Sequence, residues 1–320
     1  MVRLTFEQLD AESAHYDQTV LETPDIDHFC SSSLWILPAT RHLAAPATAC
    51  VVRSDGAYVT LARSRYGNGT AMLHPLEAMW ALPSPLVGAD PAASVALLIE
   101  TLMEDASWNV ALITGLRETS RLFRALVPEL GRRFALSRGP VTRRYAAELE
   151  GGVEGFLRRR SSGFRKNLRK AERQSRARGV RFEIADYDEE SSFERMLAVE
   201  RRSWKGRRGV GIDTEPMCGF YREMNERLVE RGWRRLVFAT LEGEDVAYIF
   251  GGVFGDTYRG LQFSFDDRFG DLSLGNLCQL EEMRRLAAEG VQTYDLGTEV
   301  AYKKRWGDRI FSTSSLLVRP

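Results

Sequence analysis

The chain has 320 residues, of which 44% are hydrophobic and 28% charged, a composition typical of a globular protein long enough for two domains. Its 44 basic residues are balanced by 44 acidic ones, so any affinity for nucleic acid or membranes has to come from a local patch. The four cysteines form no Cys-x-x-Cys pair and all four histidines lie within the first quarter, which excludes a disulfide framework, a zinc knuckle and a histidine base drawn from the second half.

The first half alternates short strands with helices. Apolar–polar alternation predicts strands over 48–53 and 56–63, and a helix opens at Asp90-Pro91, a good N-cap and first-turn pair. A buried strand in "WNVALITGL", a helix and a strand over 141–149 follow. His74 and Trp80 are interpreted as structural residues.

The second half begins after the Gly151-Gly152 pair with helices predicted over 162–178, 188–203 and 215–231. In the first of these, Phe164, Leu168 and Ala171 recur at i, i+4 and i+7, and Gly179 ends the helix. The two halves share an order of elements, so we predict domains over 1–150 and 151–320.

An antiparallel meander follows these helices, with short turns between its strands. The predicted strands cover 234–241, 246–254 and 258–266. A helix over 274–289, a strand over 292–297, a short helix and a last strand complete the chain. The pattern predicts a mixed α/β (α+β) fold.

The helix over 162–178 lies in a strongly basic segment. Between Leu157 and Phe182 there are eleven Lys or Arg residues and a single acid, Glu172. Like charges on neighbouring turns repel, so this run either pairs with acids elsewhere in the chain or binds a phosphate-rich ligand. The residues assigned to such a ligand are Arg165, Lys166, Arg169, Lys170 and Arg173.

A second phosphate candidate is the sequence "GRRGVG" at 206–211. Its backbone N–H groups, with Arg207 and Arg208, could contact a phosphate. It follows a helix rather than a strand, however, which is not the context of a dinucleotide site. Trp204 beside it either stacks on a base or packs in the core.

The loop "FDDRFGDLSLGN" at 265–276 is a third candidate. Gly275 and Asn276 lie at a predicted helix start, a position that favours anions. The aspartates of the loop would repel an anion. The cluster could instead bind a cationic amine or supply a general base, for which Asp266 is the candidate. The alternative is that Asp266 ends a strand and the other aspartates cap turns.

The segment "TYDLGTEVAYKKRWG" at 293–307 places basic residues directly after a strand. Tyr302 and Trp306 are i,i+4 neighbours, which indicates core packing, and Lys303 then points away from them. A lysine beside the end of a strand could stabilise a developing oxyanion. The alternative is an ordinary surface lysine.

The order of elements, taken with four motifs, resembles the FemAB/CelD-type branch of the GNAT acyltransferase superfamily. The motifs are "RKNLRKAER" (165–173), "SWKG" (203–206), "SFDDRFGDLSLGN" (264–276) and "YDLGTEVAYKKRW" (294–306). The resemblance covers residues 145–320 and rests on element order alone over 1–144. It implies two tandem GNAT-like domains, the second with a basic helical insertion and the first a degenerate copy that shapes the acceptor pocket.

The resemblance also implies where the chemistry takes place. In that family the sheet splays, here between strands 258–266 and 292–297, and the activated acyl group enters the wedge. Tyr302-Lys303 corresponds to an aromatic–Lys pair that helps hold the donor and its oxyanion, and Lys304 is assigned to the donor. Trp204, Tyr248 and Phe263 are assigned to the acceptor pocket.

Together these features predict amide-forming acyl transfer. No nucleophilic Cys or Ser elbow is visible, so an amine attacks the acyl carrier directly, with Asp266 or Glu299 taking its proton and Lys303 steadying the oxyanion. No metal and no tightly bound cofactor is predicted.

Two molecules, aminoacyl-tRNA and acyl-CoA, are candidates for the acyl donor. The loop that grips acetyl-CoA in ordinary GNAT enzymes is absent after strand 258–266, and the basic run suits a long phosphate backbone, so aminoacyl-tRNA is preferred to acyl-CoA. A small amine, an amino acid or a peptide N-terminus would suit as acceptor. The competing class is a non-catalytic polyanion-binding protein.

Because no leader and no membrane-spanning run is predicted, we expect a cytoplasmic protein without a membrane partner. The variant of the family that the chain resembles best suggests a role in natural-product biosynthesis.

Overall fold

The computed structural model describes residues 1–44, 46–104, 107–186 and 190–320, and its contacts separate two units. The first unit is Met1–Arg143 with Ser312–Pro320, and the second is Arg144–Phe311. The predicted division at residue 150 differs from this one because two strands cross from one unit into the other. The sequence gives no sign of such a crossing, since both strands read as continuous.

The first unit is built around a mixed sheet. Its elements, in chain order, are β1 (Val2–Leu4), α1 (Phe6–Ala11), α2 (Ser13–Glu22), α3 (His28–Ser31), α4 (Ser33–His42), β2 (Thr48–Ser54), β3 (Ala57–Arg65), β4 (Ala71–Pro75), β5 (Leu86–Gly88), α5 (Pro91–Glu104), β6 (Val110–Leu116), α6 (Arg121–Gly131) and the first part of β7 (Ala135–Glu148). The last part of the final strand returns to pair with β6, with Leu316 opposite Ile113. His74 is buried and hydrogen-bonds Ser64 Oγ and the Pro75 carbonyl oxygen, a structural arrangement.

The second unit repeats this plan with more helices. Its elements are α7 (Gly152–Arg158), α8 (Ser162–Ala177), β8 (Arg181–Ile184), α9 (Glu190–Arg202), α10 (Trp204–Arg207), α11 (Met217–Glu230), β9 (Arg234–Leu241), β10 (Glu244–Phe254), β11 (Thr257–Phe265), a 3-10 turn (Asp267–Leu272), α12 (Leu274–Ala288), β12 (Thr293–Thr298), a second 3-10 turn (Ala301–Arg305) and β13 (Arg309–Arg319). Residues 188 and 189 of the predicted helix 188–203 lie outside the described residues.

Both units contain the same succession of strands. In the second, β9, β10 and β11 form the predicted antiparallel meander, and β12 returns through α12 to lie parallel to β11. In the first, β2, β3 and β4 form the meander, and β6 returns through α5 to lie parallel to β4. The predicted mixed α/β fold with two tandem GNAT-like units is therefore confirmed.

The turns and helices follow from local sequence. Gly243 and Gly255 carry the two meander turns at φ +84° and +64°, a conformation that glycine adopts without strain. Helix α8 begins at Ser161, whose hydroxyl accepts a hydrogen bond from the Phe164 N–H. Among the described residues, no helix combines the length and apolar character needed to cross a bilayer.

Candidate active site

Strands β11 and β12 separate partway along their length and leave a wedge between them. Their parallel pairing runs from Thr257 opposite Thr293 to Arg259 opposite Asp295 and stops there. Strand β12 continues on the other side, where Thr298 pairs with Arg144 of β7. A small cavity of about 50 Å³ opens in the wedge, lined by Ile249, Gly260, Leu261, Gln262, Phe263, Gln279, Tyr294, Leu296, Tyr302 and Lys303.

A buried charge cluster lies where the two strands separate. Asp295 Oδ2 accepts hydrogen bonds from Arg144 at 2.5 Å and from Arg259 at 2.8 Å, and all three side chains are more than nine-tenths buried. Its Oδ1 accepts the Gly297 N–H at 2.7 Å. Two guanidinium groups thus share one carboxylate oxygen. The cluster ties β7, β11 and β12 together where the wedge begins.

Lys303 completes the wedge from the second 3-10 turn. Its Nζ donates to the Thr298 carbonyl oxygen at 3.0 Å, which leaves further N–H donors for a ligand. Burial and the neighbouring Arg259 charge lower its pKa to about 8. Gly297 is at φ +82°, and a Cβ there would lie 3.3 Å from Nζ, so the glycine allows the lysine to approach β12.

The 3-10 turn is fixed by an aromatic anchor. Trp306 is 2% exposed, stacks on Phe156 and meets Phe164 of α8 edge-on with ring centroids 5.1 Å apart. Tyr302 packs against Phe263 on β11 at 5.6 Å. The packing of Tyr302 and Trp306 thus holds Lys303 in the wedge rather than in open solvent.

A larger groove opens beside the wedge and shares Tyr302 with it. The groove, about 630 Å³, lies against α8 and the start of α12 and is lined by Ser161, Phe164, Asn167, Leu168, Lys170, Ala171, Gln174, Asp271, Ser273, Asn276, Tyr302, Arg305 and Trp306. Its polar side chains and two cations suit an elongated polar ligand. Tyr302 stands where such a ligand would pass into the wedge.

The exposed face of α8 carries a stripe of basic side chains. Four of them follow one another at intervals of three or four residues and share one face of the helix. These four side chains, which we call the basic stripe, are Lys166, Arg169, Arg173 and Arg176. All four are exposed, and no ion pair or hydrogen bond to them is found within the described residues. Lys170 lies between this stripe and the groove.

Other basic residues of the segment stabilise the fold. Arg165 was expected to hold phosphates, but its Nη1 donates to the Arg160 carbonyl oxygen at 2.6 Å and reaches two further carbonyls at the end of α7. Arg159 and Arg160 are ion-paired with Asp308. The Nη1 atom of Arg165 is thus committed to the backbone at the end of α7.

Asp266 lies away from the wedge. Its carboxylate is 1% exposed, accepts hydrogen bonds from Arg202 at 2.7 Å and Arg268 at 2.8 Å, and caps the first 3-10 turn. Burial alone would raise the pKa of Asp266, but the hydrogen bonds from Arg268 and Arg202 outweigh it and hold the pKa below its usual range. The sequence predicted either a general base or the polar end of strand 258–266, and the observed contacts of Asp266 are those of a capping residue at the end of that strand.

Glu299 lies at the end of β12 and is exposed. Its Oε1 accepts a hydrogen bond from the Tyr145 hydroxyl at 3.2 Å, and the residue is not part of the wedge lining. Lys304 is also exposed and lines neither space.

The "GRRGVG" loop lies outside the groove and the wedge. Arg207 is paired with Asp267, and Arg208 lies over the exposed Trp204 ring with its guanidinium 5.6 Å from the ring centre. None of the three lines the groove or the wedge. Tyr248 is fully buried, and its hydroxyl donates to Glu200 at 2.9 Å, so it belongs to the core.

Helix α12 approaches β11 closely at its first turn. A Cβ on Gly275 would lie 2.9 Å from the Phe263 ring, so this glycine makes room for the ring rather than for a phosphate. Asn276, assigned to the donor from the sequence, is exposed and lines the groove, and Phe263 lines the wedge.

Several polar residues of the site carry no sequence signal. Gln262 lines the wedge, where Lys205 Nζ donates to its Oε1 at 3.0 Å and its Nε2 donates to the Tyr221 hydroxyl at 2.9 Å. Gln279 lines it from α12. These residues come from different helices and strands, and neither glutamine belongs to a recognisable motif.

Glu282, one turn beyond Gln279, is completely buried and has no hydrogen-bond partner for either carboxylate oxygen among the described residues. Burial raises its pKa to about 8. The folded protein thus holds a proton that the unfolded chain releases near pH 4.5. We expect the stability of the wild type to fall, relative to Glu282→Gln, by about 1.4 kcal/mol per unit as pH rises from about 5 to 8.

Denaturant unfolding of the two proteins at several pH values measures this difference. Glu281→Gln, on the exposed side of the same turn, serves as the control and should track the wild type. Parallel stability curves for wild type and Glu282→Gln would show that Glu282 titrates normally.

Comparison with known proteins links the second unit to a domain family. Residues 162–305 match the acetyltransferase (GNAT) domain family, and this segment contains the meander, α12, β12 and the 3-10 turn that form the wedge. This part of the chain is thus similar to a GNAT acetyltransferase domain, in line with the resemblance described above. No curated protein sequence gives a significant match.

Solved structures show the same fold over nearly the whole chain. FemX is similar with a TM-score of 0.68 at 13% identity, covering 94% of this chain and 95% of its own. The C-terminal domain of a protein named as a lysylphosphatidylglycerol synthetase from Agrobacterium fabrum gives 0.57 at 12%, covering 95% and 92%. A tandem GNAT protein from the clavulanic acid biosynthesis pathway gives 0.51 at 12%, covering 99% and 97%. The fold is thus FemAB-like, with tandem GNAT units.

Proposed function

We propose that this protein is an amide-forming N-acyltransferase that moves an aminoacyl group from aminoacyl-tRNA to the amine of a small-molecule or peptide acceptor. The observation that carries the proposal is the placement of Lys303 in the wedge, where a half-buried ammonium group faces a cavity between parted strands. A low-dielectric cavity with a fixed cation stabilises negative charge more than water does.

The reaction proceeds by direct attack. The amine nitrogen forms a bond to the acyl carbon, the carbonyl electron pair moves to oxygen, and the Lys303 ammonium group stabilises that oxyanion. Collapse breaks the bond between the acyl carbon and the carrier oxygen, and this oxygen takes up a proton and leaves as a ribose hydroxyl. Of the two predicted bases, Asp266 is committed to two arginines, so the amine proton passes to Glu299, which lies at the end of β12 outside the wedge lining.

The groove and the wedge together provide a path for the donor. The carrier end occupies the groove beside Lys170, Asn276 and Arg305, and the acyl group passes Tyr302 into the wedge. The cavity in the wedge is less than a tenth of the groove in volume, which suits an acyl group attached to a much larger carrier.

The basic stripe supports a tRNA carrier. Lys166 to Arg176 covers about 15 Å of helix, and its charges lie on the face opposite the buried Leu168, Ala171 and Ser175. A ligand confined to the groove would not reach the far side of this stripe. A polynucleotide backbone would contact both, and its 3′ end would enter the groove.

Acyl-CoA is the second candidate donor. The groove itself offers two cations, Lys170 and Arg305, enough for the phosphates of a compact nucleotide head group. With that donor the bond broken is the thioester C–S bond and the leaving group is a thiol. The basic stripe would then be dispensable, so the two carriers predict different mutational responses.

Charge reversal of the stripe separates these donors. In Arg169→Glu/Arg173→Glu/Arg176→Glu, we expect tRNA affinity to fall steeply and the slope of log K against log[salt] to flatten by about 2–3, at roughly 0.7–0.9 for each phosphate that is no longer neutralised. Affinity for acyl-CoA should stay unchanged. Binding titrations of charged tRNA and of acyl-CoA over a range of salt concentrations give both quantities.

The matched control places the same charge change in the first unit. Arg65, Arg121 and Arg319 are exposed there, and their triple replacement by Glu alters the net charge equally. If both triple variants bind tRNA like the wild type while acyl-CoA is consumed, the carrier is a coenzyme A thioester.

A further inference from the structure

One side chain in the wedge has a hydrogen-bond donor without an acceptor. Gln279 is 3% exposed on α12, and its Nε2 has no hydrogen-bond partner among the described residues. It lines the same small cavity as Lys303. Leaving a buried amide donor unpaired costs stability, so native proteins retain such groups where a ligand satisfies them.

The other amide of the wedge does not share this property. Both polar atoms of Gln262 are hydrogen-bonded, to Lys205 and to Tyr221. Much of the remaining lining is apolar, including Ile249, Leu261 and Leu296. Gln279 is therefore the amide of the wedge whose buried Nε2 donor has no acceptor among the described residues.

Helix α12 holds this amide firmly in place. The neighbouring Leu280 and Met283 are fully buried in the core cluster of the second unit, and Cys278 packs there too. A donor fixed by a packed helix needs little reorganisation when charge develops in front of it, which is the property of an effective oxyanion site.

We propose that Gln279 is a catalytic residue that donates a hydrogen bond to the acyl oxygen, as a partner to Lys303 in a two-donor oxyanion site. The inference rests on the proposed acyl transfer. When the amine attacks the acyl carbon, the carbonyl electron pair moves to the oxygen, which then accepts one hydrogen bond from Lys303 Nζ and one from Gln279 Nε2. Gln279 donates this hydrogen bond without transferring a proton.

The same placement limits the donor chemistry. The oxygen must sit on the carbon under attack, as in an ester or a thioester, and the acyl group must be narrow enough for both donors to reach it in a cavity of about 50 Å³. Gln279 therefore acts on the acyl group and is indifferent to whether the carrier is tRNA or coenzyme A.

Steady-state kinetics of Gln279→Leu and Gln279→Glu test the role in the reaction. We expect kcat to fall on the order of 10²-fold in Gln279→Leu, with KM for the donor within about twofold. Gln279→Glu keeps the shape of the side chain and should lose at least as much, because a carboxylate repels the oxyanion. Gln292→Leu, at an exposed position, should behave like the wild type. Normal kcat in Gln279→Leu, or activity retained in Gln279→Glu, would overturn the proposal.

A binding measurement tests the two-donor oxyanion site independently of the proposed function. In protein labelled with ¹⁵N on its glutamine side chains, the Gln279 amide signals are those absent from Gln279→Leu. Methylphosphonate, a small tetrahedral oxyanion, should shift these signals saturably in the wild type and much less in Lys303→Met. A shift would support the two-donor site even if neither carrier proved to be a substrate. Unshifted Gln279 signals at saturating methylphosphonate would refute it.

Discussion

Replacing Lys303 by methionine should lower the rate of acyl transfer by on the order of 10²–10³ and leave donor affinity nearly unchanged. Methionine fills similar space but removes the half-buried charge that faces the wedge. Lys304→Met, the exposed neighbour, is the matched control and should have a mild effect. Single-turnover rates measured beside donor binding separate the two quantities. Activity within about threefold of wild type in Lys303→Met would remove Lys303 from the mechanism.

The acid–base behaviour of Lys303 adds a second readout of the same prediction. Because its pKa is lowered to about 8, the ammonium form is present below that pH and is lost as pH rises through it. We expect the single-turnover rate to decline above about pH 8. In Lys303→Arg the side chain stays charged, so any residual activity should lack this decline. An identical alkaline limb in both proteins would assign it to another group.

Replacing Asp295 by asparagine should destabilise the second unit by about 3–5 kcal/mol, the usual cost of removing one partner from a buried ion pair. The change leaves the buried guanidinium groups of Arg144 and Arg259 without this carboxylate, and it weakens the hydrogen bond that holds the Gly297 N–H. The positive charges nearest Lys303 also lose their balance. Urea unfolding monitored by circular dichroism measures the loss.

The control for this prediction is an ion pair at the surface. Glu244 pairs with Arg268, and both side chains are more than half exposed, so Glu244→Gln should change stability by less than about 1 kcal/mol. If Asp295→Asn unfolds like Glu244→Gln, the cluster does not stabilise the strands at the point where the wedge begins.

Much of the second unit could be predicted from the sequence because its elements are locally encoded. Alternating apolar residues and tight turns mark the meander, and the apolar i, i+4, i+7 pattern marks α8. Strand β8 was missed because it is only four residues long; its sequence alternates polar and apolar residues, but all four are exposed. Strands β7 and β13 each contain residues of both units, which no local pattern reports.

The parts of the site that lie in a sequence motif could be predicted, whereas the parts formed by long-range contacts were missed. Lys303 and Tyr302 lie in a recognisable segment, and both line the wedge. Asp295 bonds Arg144, 151 residues away, and Arg259, 36 residues away, so the cluster is visible only after folding. A run of basic residues likewise does not distinguish Arg165, which caps α7, from Arg169, which faces solvent.

Product analysis is the most direct test of the proposed amide formation in the wedge. Purified wild type and Lys303→Met are each incubated with charged tRNAs, acyl-CoAs and a broad panel of amines, and amide products are identified by mass spectrometry. We predict an amide from the wild type that survives removal of the protein, with at least about a hundredfold less from Lys303→Met. Folded wild-type protein that binds tRNA through the basic stripe but yields no amide from any donor would contradict this claim and identify a polyanion-binding protein instead.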